Sequence, residues 1–267
     1  MTDAPAAGDA GSQATRGRTL VVLCTYNERE NVPTLIDGVL AVDERLDVRV
    51  VDDDSPDGTA AAVEERFAAN PRVSVVVRRG ERGLGTATLT GLRGAVADGY
   101  DAAVTMDADW SHHPRHLPAL LALLDEYDVA IGSRYVPGGA IEGWPWRRHL
   151  MSRAINVYSR AALGLRQRDC SGAFRAFRTE LLERVDFDAV RSTGYAFMEE
   201  FLYRCVVAGA RVAETPVTFV DRVEGSSKIN GREALAALWT LGRVGLEERR
   251  RPPVQRPATA ARGASRG

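Results

Sequence analysis

The feature that most constrains the fold of this 267-residue chain is a regular alternation of short β-branched runs with helical patterns. Thr19 to Cys24, Val48 to Val51, Val73 to Val77, Ala102 to Met106 and Val129 to Ile131 read as strands. Between them, segments near Asn31 to Leu40, Thr59 to Ala69, Gly85 to Asp98 and Pro114 to Leu124 carry apolar residues at helical spacing, as at Leu117, Leu120, Leu121 and Leu124. Elements in that order predict an α/β architecture, a mostly parallel, Rossmann-like sheet with helices on both faces. Such sheets bind ligands at the carboxyl ends of their strands.

After Ile131 the pattern changes. A Gly-, Pro- and Trp-rich loop, Tyr135 to Trp146, precedes a helix near Arg148 to Leu163, a turn at Asp169 to Gly172, a helix near Ala196 to Ala208 and a strand around Ala213 to Val220. A final helix, about Glu233 to Glu248, places Leu235, Leu238, Trp239 and Leu246 on one stripe. Packing against the domain is its default reading and membrane contact the alternative. We read one domain over 19–249 with a modified second half from 134. Residues 1–18 lack the basic start and apolar run of a secretory signal and read as a disordered extension. The arginine-rich tail, 250–267, reads as solvated or as touching anionic lipid headgroups.

With 35 basic against 36 acidic residues, nothing pulls the chain globally toward nucleic acid. Cys24, Cys170 and Cys205 are too scattered for a zinc site or disulfide framework and fit a cytoplasmic setting. No run of about 18 apolar residues offers a membrane span.

Three polar segments each follow a predicted strand: Thr25 to Glu28, Asp52 to Gly58 and Asp107 to Ser111. Asp107 and Asp109 stand one residue apart at a strand end, so their carboxylates point the same way and can converge on one hard divalent cation that also takes diphosphate oxygens. A solvated strand exit is the plainer alternative. Asp52 can accept hydrogen bonds from a base or ribose, and Tyr26 can pack its ring on the base. Turn chemistry and helix capping account for Ser55 and Asp57. Gly83, Gly85 and Thr86 suit either backbone approach to phosphate or capping. His112 and His113 suit either general base or metal ligand, or simply shape the helix start before Pro114. Tyr195 and Phe197 read as core or pocket wall. A phospho-acceptor receiver domain would need a lysine after a later strand, and Lys228, the only lysine, lies far beyond.

The series Cys24 to Glu28, Val51 to Thr59, Gly83 to Ala87, Met106 to Pro114 and Gly132 to Tyr135 resembles family 2 glycosyltransferases of the GT-A fold. Gly143-Trp144 with Arg148, Asp169 to Arg175, Gly194 to Phe197 with Glu200, and Phe219 to Lys228 narrow the resemblance to the dolichol- and polyprenol-phosphate mannose synthases, over about Thr19 to Gly231. Trp110, Asp54 and Ser111 depart from the usual pattern. Ser111 weakens a third side-chain metal ligand, and Asp54 adds negative charge beside the nucleotide.

The resemblance implies a nucleotide-binding half over 19–133 and an acceptor half over 134–249. It implies GDP-mannose as donor, held by Thr25, Tyr26, Glu28, Asp52, Asp53, Gly85, Asp107, Ala108, Asp109 and Arg134. Mg2+ or Mn2+ would sit on Asp107, Asp109 and Ser111. Asp109, Arg134, Arg148 and Glu200 are the catalytic candidates, the two arginines as phosphate clamps and Glu200 orienting the sugar or pairing with an arginine. Arg148, Ser152, Arg222, Ser227 and Lys228 would take the phosphate of a polyprenyl monophosphate acceptor. The chain would then work on the cytoplasmic face of a membrane, peripherally through Trp144, Trp146 or Trp239 and the tail, or through a separate membrane subunit. A family 2 enzyme using glucose, galactose or N-acetylhexosamine, and an idle nucleotide-binding protein, are the alternatives.

Overall fold

The computed structural model describes residues 17–192, 194, 196–221 and 231–249. Its strands are β1 (Thr19–Thr25), β2 (Leu46–Asp52), β3 (Val73–Val77), β4 (Ala102–Asp107), β5 (Val129–Ser133), β6 (Ala140–Glu142), β7 (Arg175–Arg178), β8 (Val212–Pro216) and β9 (Thr218–Val220). Its helices are α1 (Val32–Leu40), α2 (Thr59–Phe67), α3 (Leu84–Ala97), α4 (Leu117–Ala122), α5 (Trp146–Leu163), α6 (Thr179–Leu182), α7 (Phe197–Val207) and α8 (Gly231–Arg249). Seven strands form one sheet in the order β3-β2-β1-β4-β7-β5-β8, and β6 pairs with β9 in a small second sheet. All pairings in the large sheet are parallel except those of β7, which runs against both β4 and β5.

Both faces of the sheet are buried, as continuous apolar strands require. Along β1, Leu20 and Val22 enter a core with α3, α6 and α7, while Val21 and Leu23 enter the opposite core with α1 and α4. Val32, Leu35, Ile36 and Val39 supply the buried stripe of α1. Each such side chain contributes about 1.5–3 kcal/mol when taken from water. Gly91 of α3 lies so close to β1 that a Cβ there would stand 2.2 Å from Val22.

The structure departs from the sequence reading at four places. β7 was not expected: its Arg-Ala-Phe-Arg sequence looks polar, yet Arg175 is fully buried, donating to the carbonyls of Met198 and Cys170. The strand expected from Ala213 to Val220 divides into β8 and β9, which serve different sheets. In α8 Leu241 and Val244 are buried, whereas Trp239 and Leu246, two members of the stripe read from sequence, are exposed and do not pack on the domain. Arg18, read as part of the N-terminal extension, is placed against the domain: its carbonyl accepts from the Asp101 backbone and its guanidinium pairs with Asp47.

Candidate active site at the carboxyl edge of the sheet

The parallel register places Thr25 beside Asp52, Cys24 beside Asp107 and Asp52 beside Val77, so the loops leaving β1 to β4 share one edge. Three non-glycine residues are left-handed among those described: Asn27 after β1, Asp54 after β2 and Trp110 after β4. Such backbone costs about 1–3 kcal/mol per residue and persists only where the surroundings fix it. Hydrogen bonds between adjacent loops supply that constraint. Ser55 Oγ accepts from the Asn27 backbone at 3.0 Å, and Thr59 Oγ1 accepts from that of Glu28 at 3.0 Å.

Asp107 ends β4 with its side chain 34% exposed. Its backbone N–H donates to His112 Nδ1 at 3.0 Å. His112 is buried, stacked on Phe174 and edge-on to Phe219. Burial holds its pKa below the ordinary value, and with Nδ1 accepting, the neutral ring carries its proton on Nε2. His112 therefore shapes the loop. His113 does the same for the next turn, accepting from the Arg115 backbone. Asp109 Oδ1 accepts from both the backbone and the hydroxyl of Ser111, at 3.1 and 2.5 Å. Ser111 is thus a brace for Asp109, not the third ligand expected of it. The acidic pair presents only hard oxygen donors, and no group of three or more potential His, Cys, Asp or Glu ligands exists among the described residues. This half-site fits Mg2+ or Mn2+ completed by substrate phosphate and water, and does not fit a closed protein cage.

Several residues expected to touch nucleotide are occupied by the protein itself. Asp52 is buried and accepts from Thr25 Oγ1 at 2.7 Å, Ser55 N at 2.8 Å and Ser55 Oγ at 2.6 Å, so it ties β1 to the β2 loop. Asp53 is buried against Arg78 and also accepts from the Gly83 backbone at 2.8 Å. Gly85 is required by packing, since a Cβ there would stand 2.8 Å from the Phe197 ring. Ala108 lies in the core, leaving only its backbone for a ligand. Thr25 is buried as well. Glu28 accepts from Asn31 Nδ2 at 2.9 Å. Tyr26 is half-buried, with the Arg82 guanidinium 4.4 Å over its ring.

Beyond β5, Arg134 binds Asp169 through Nε and Nη2, each at 2.8 Å, and Ser171 Oγ at 2.9 Å. Burial works against both charges, and each partner outweighs it for the other: Arg134 is held above and Asp169 below its ordinary value. The Arg134 guanidinium also lies 5.4–5.7 Å from the rings of Tyr135, Trp144 and Phe219. Arg148 sits 4.1 Å over Trp144 and pairs with Asp221 at 2.8 Å. Ser152 accepts from the Tyr135 hydroxyl at 2.7 Å. Asp169, Trp144 and Asp221 thus fix the two arginines; the motifs contained them, but only their spatial pairing assigns these roles.

Of the two roles read for Glu200, the structure shows the pairing with an arginine: it is fully buried, accepting from the Arg191 and Ser192 backbones, the Ser192 hydroxyl and Arg204, so it braces a loop and is not presented to a sugar. Its neighbour Glu199 escaped the sequence reading. It is buried with Oε2 unpartnered, and burial pushes its pKa up to about 7 against the pull of its own backbone N–H and Arg175. Arg222, Ser227, Lys228, Tyr195 and the arginine tail lie outside the described residues.

Residues 20–186 match the profile of glycosyl transferase family 2. The chain is 44% identical over 234 residues to a polyprenol monophosphomannose synthase of Mycolicibacterium smegmatis, covering 87% of this chain and 88% of that protein. It is 41% identical over 232 residues to an undecaprenyl-phosphate mannosyltransferase of Micrococcus luteus, covering 87% and 96%. Among solved structures, glucosyl-3-phosphoglycerate synthase of Mycobacterium tuberculosis with Mn2+, UDP-glucose and phosphoglyceric acid superposes with a TM-score of 0.59 at 19% identity, over 87% of this chain and 79% of that one. At that identity the likeness speaks for the fold alone.

Proposed function

This chain belongs to glycosyl transferase family 2 and has the GT-A fold, and from that premise we propose that it transfers mannose from GDP-mannose to a polyprenyl monophosphate with inversion at C1. The observation that carries the reading is the similarity across 87% of the chain to two proteins whose names specify mannose and a polyprenyl phosphate. An acceptor phosphate oxygen forms the new bond to C1 while the bond from C1 to the β-phosphate oxygen breaks, GDP leaving with the electron pair. The acceptor is already anionic at neutral pH, so the site needs no strong base, in keeping with a His112 whose Nδ1 is engaged in the loop. Asp107 and Asp109 would hold Mg2+ or Mn2+, which when bound neutralises charge developing on the diphosphate.

Arg134 and Arg148 bring positive charge to a junction where two anionic substrates must meet. Their forks are already engaged by Asp169 and Asp221, so they act as prepositioned hydrogen-bond donors whose charge is offset by those carboxylates, more than as open clamps. Arg222, Ser227 and Lys228 remain our candidates for the acceptor phosphate, with Ser152.

We further propose peripheral binding at the cytoplasmic face of a membrane. No helix among the described residues is long and apolar enough to cross one. Instead, α5 exposes Trp146, Leu150 and Val157, and α8 exposes Trp239 and Leu246. The two helices touch, with the Tyr158 hydroxyl donating to the Leu238 carbonyl at 2.8 Å, and Arg147, Arg153 and Arg243 are exposed along them. Apolar anchors interspersed with arginine suit an anionic bilayer surface.

The test is transfer of labelled sugar from a panel of nucleotide sugars to a short-chain polyprenyl phosphate with Mg2+ or Mn2+. A lipid-soluble product from GDP-mannose, lost in Asp109→Ala, is expected. Product from a different donor alone would overturn the mannose assignment.

A further inference from the structure

A buried polar network runs from the first turn of α7 to Arg134, and Arg175 is its centre. On β7, held between β4 and β5, this fully buried guanidinium donates through Nη1 to the Met198 carbonyl at 2.6 Å and through Nη2 to that of Cys170 at 2.5 Å. Met198 precedes Glu199. Cys170 follows Asp169, whose carboxylate holds Arg134. One guanidinium therefore ties the residue beside Glu199 to the residue beside the partner of Arg134.

Two buried atoms of this network have no hydrogen-bond partner among the described residues, Arg175 Nε and Glu199 Oε2. Buried polar atoms are nearly always satisfied, so an unmet donor and an unmet acceptor on adjoining elements call for a role. Of the charged groups acting on Glu199, Arg175 acts most strongly, followed by Asp169 and Arg134. The others around it are committed. Asp169 and Arg134 pair with each other, as do Glu200 and Arg204 on α7 itself. Cys170 and Cys205, which border Arg175, are pushed up to about 12 by burial and stay neutral. From α5 the buried polar groups are the uncharged Asn156 and Ser159; from α8, Arg243 and Glu247 pair at the surface; from α3, Arg93 pairs with Asp188.

We propose that Glu199 is a positioning residue for Arg134: as a neutral carboxyl it leaves Arg175 on its two carbonyls and the 169–172 turn tight, and as a carboxylate it draws Arg175 Nε toward Oε2 and loosens that turn. The inference rests on the placement of Arg134 at the phosphate junction above. A guanidinium is planar and rigid, so turning Nε toward a carboxylate carries Nη1 and Nη2 off their carbonyls. The turn keeps other supports, since Cys170 N–H donates to Asn156 at 2.7 Å and Asp169 N–H to Glu214 at 3.0 Å. The consequence is a graded shift of Asp169 and Arg134, not their release. Burial raises Glu199 from 4.5 to about 7, so the tight arrangement holds at low pH and is lost as pH rises through about 7.

The experiment makes two measurements on the full-length wild type, Glu199→Gln and Arg175→Met, with melting curves for each. One is kcat/KM for a short-chain polyprenyl phosphate between about pH 5.5 and 9, well below the melting temperature, with whichever nucleotide sugar supports turnover. The other is amide hydrogen exchange of residues 169–172 at matched pH. The acceptor phosphate, with a second pKa of about 6, and His112 shape only the acidic limb of the profile. Above about pH 7 wild-type kcat/KM should fall about fivefold, while Glu199→Gln should match the wild type near pH 6 and stay level to pH 9. Exchange in the turn should be about fivefold faster in the wild type than in Glu199→Gln at pH 8, and equal at pH 6. Arg175→Met should also lose the basic limb, and the Glu199→Gln comparison decides even where Arg175→Met does not fold. A basic limb that persists in Glu199→Gln, a level wild-type profile with unchanged exchange, or a profile that responds without the turn would overturn the proposal and leave the site reading standing. Exchange that responds while kcat/KM does not would overturn the placement of Arg134 at the junction and the inference with it.

Discussion

Asp169 grips Arg134 from three sides: Oδ2 accepts from Nε at 2.8 Å and from the Arg134 backbone at 3.0 Å, and Oδ1 accepts from Nη2 at 2.8 Å. The pair joins the loop after β5 to the turn before β7, on the same strand edge that carries Asp107 and Asp109.

Removing one partner of such a buried pair strands the other's charge. Asp169→Ala is expected to lower stability by about 3–5 kcal/mol, read by urea unfolding, and to reduce kcat/KM in whatever fraction folds. An unchanged midpoint would mean that water reaches Arg134 freely.

Asp109→Asn keeps the shape and the Ser111 contact but halves the charge of the acidic pair. Loss of turnover by about 100-fold or more, with an unchanged urea midpoint and a raised Mn2+ requirement, is the expected outcome. Full activity without added divalent ions would contradict the assignment of the half-site.

Glu199 makes stability depend on pH with a defined sign. Burial raises its folded pKa from 4.5 to about 7, so between those values the folded state binds more protons than the unfolded chain. The protonated carboxyl's contribution is fully present below about pH 4.5 and is lost as pH rises through about 7. Glu199→Gln should therefore be more stable than the wild type at pH 8, by on the order of 2–3 kcal/mol, with the gap closing toward pH 5. Parallel pH profiles for the two proteins would refute this.

For the proposed lipid-facing surface, a double substitution Trp146→Glu with Trp239→Glu targets residues that are 69% and 67% exposed. Co-sedimentation with anionic vesicles should fall about tenfold or more while melting is unchanged. Equal sedimentation would move the docking surface elsewhere on the chain, whereas a wild type that itself fails to sediment would move the burden of docking to a membrane subunit.

At Gly85 a single methyl tests the packing of α3 on α7. Gly85→Ala should cost about 1–3 kcal/mol, because the Phe197 ring has to shift from a 2.8 Å approach. Thermal melting decides it, and a neutral result would restore a phosphate-contact reading of this glycine.

How much of this was legible in sequence depends on the range of the interaction concerned. The strand ends carrying Tyr26, Asp54 and Asp107 were readable, because β-branched runs and turn residues mark them locally. β7 was not, because a buried Arg175 satisfied by the carbonyls of Met198 and Cys170 looks like a surface residue until those partners are known. Asp52 and Asp107 look alike in sequence, each an acid ending a strand. Asp52 is filled by Thr25 and Ser55, whereas Asp107 keeps a partly open side chain.

By itself, then, the order of residues determined the alternating α/β architecture, the edge on which the polar loops gather and the presence of paired carboxylates there, since each follows from periodicity and backbone direction within a few residues. Only the tertiary structure decided which acid braces and which one faces outward, that Arg134 belongs to Asp169 and Glu200 to the 191–192 loop, and that Trp239 and Leu246 lie outside the core. The physical reason is that hydrogen-bond saturation and burial are properties of neighbours in space, and for these side chains the deciding neighbours come mostly from elements distant in sequence.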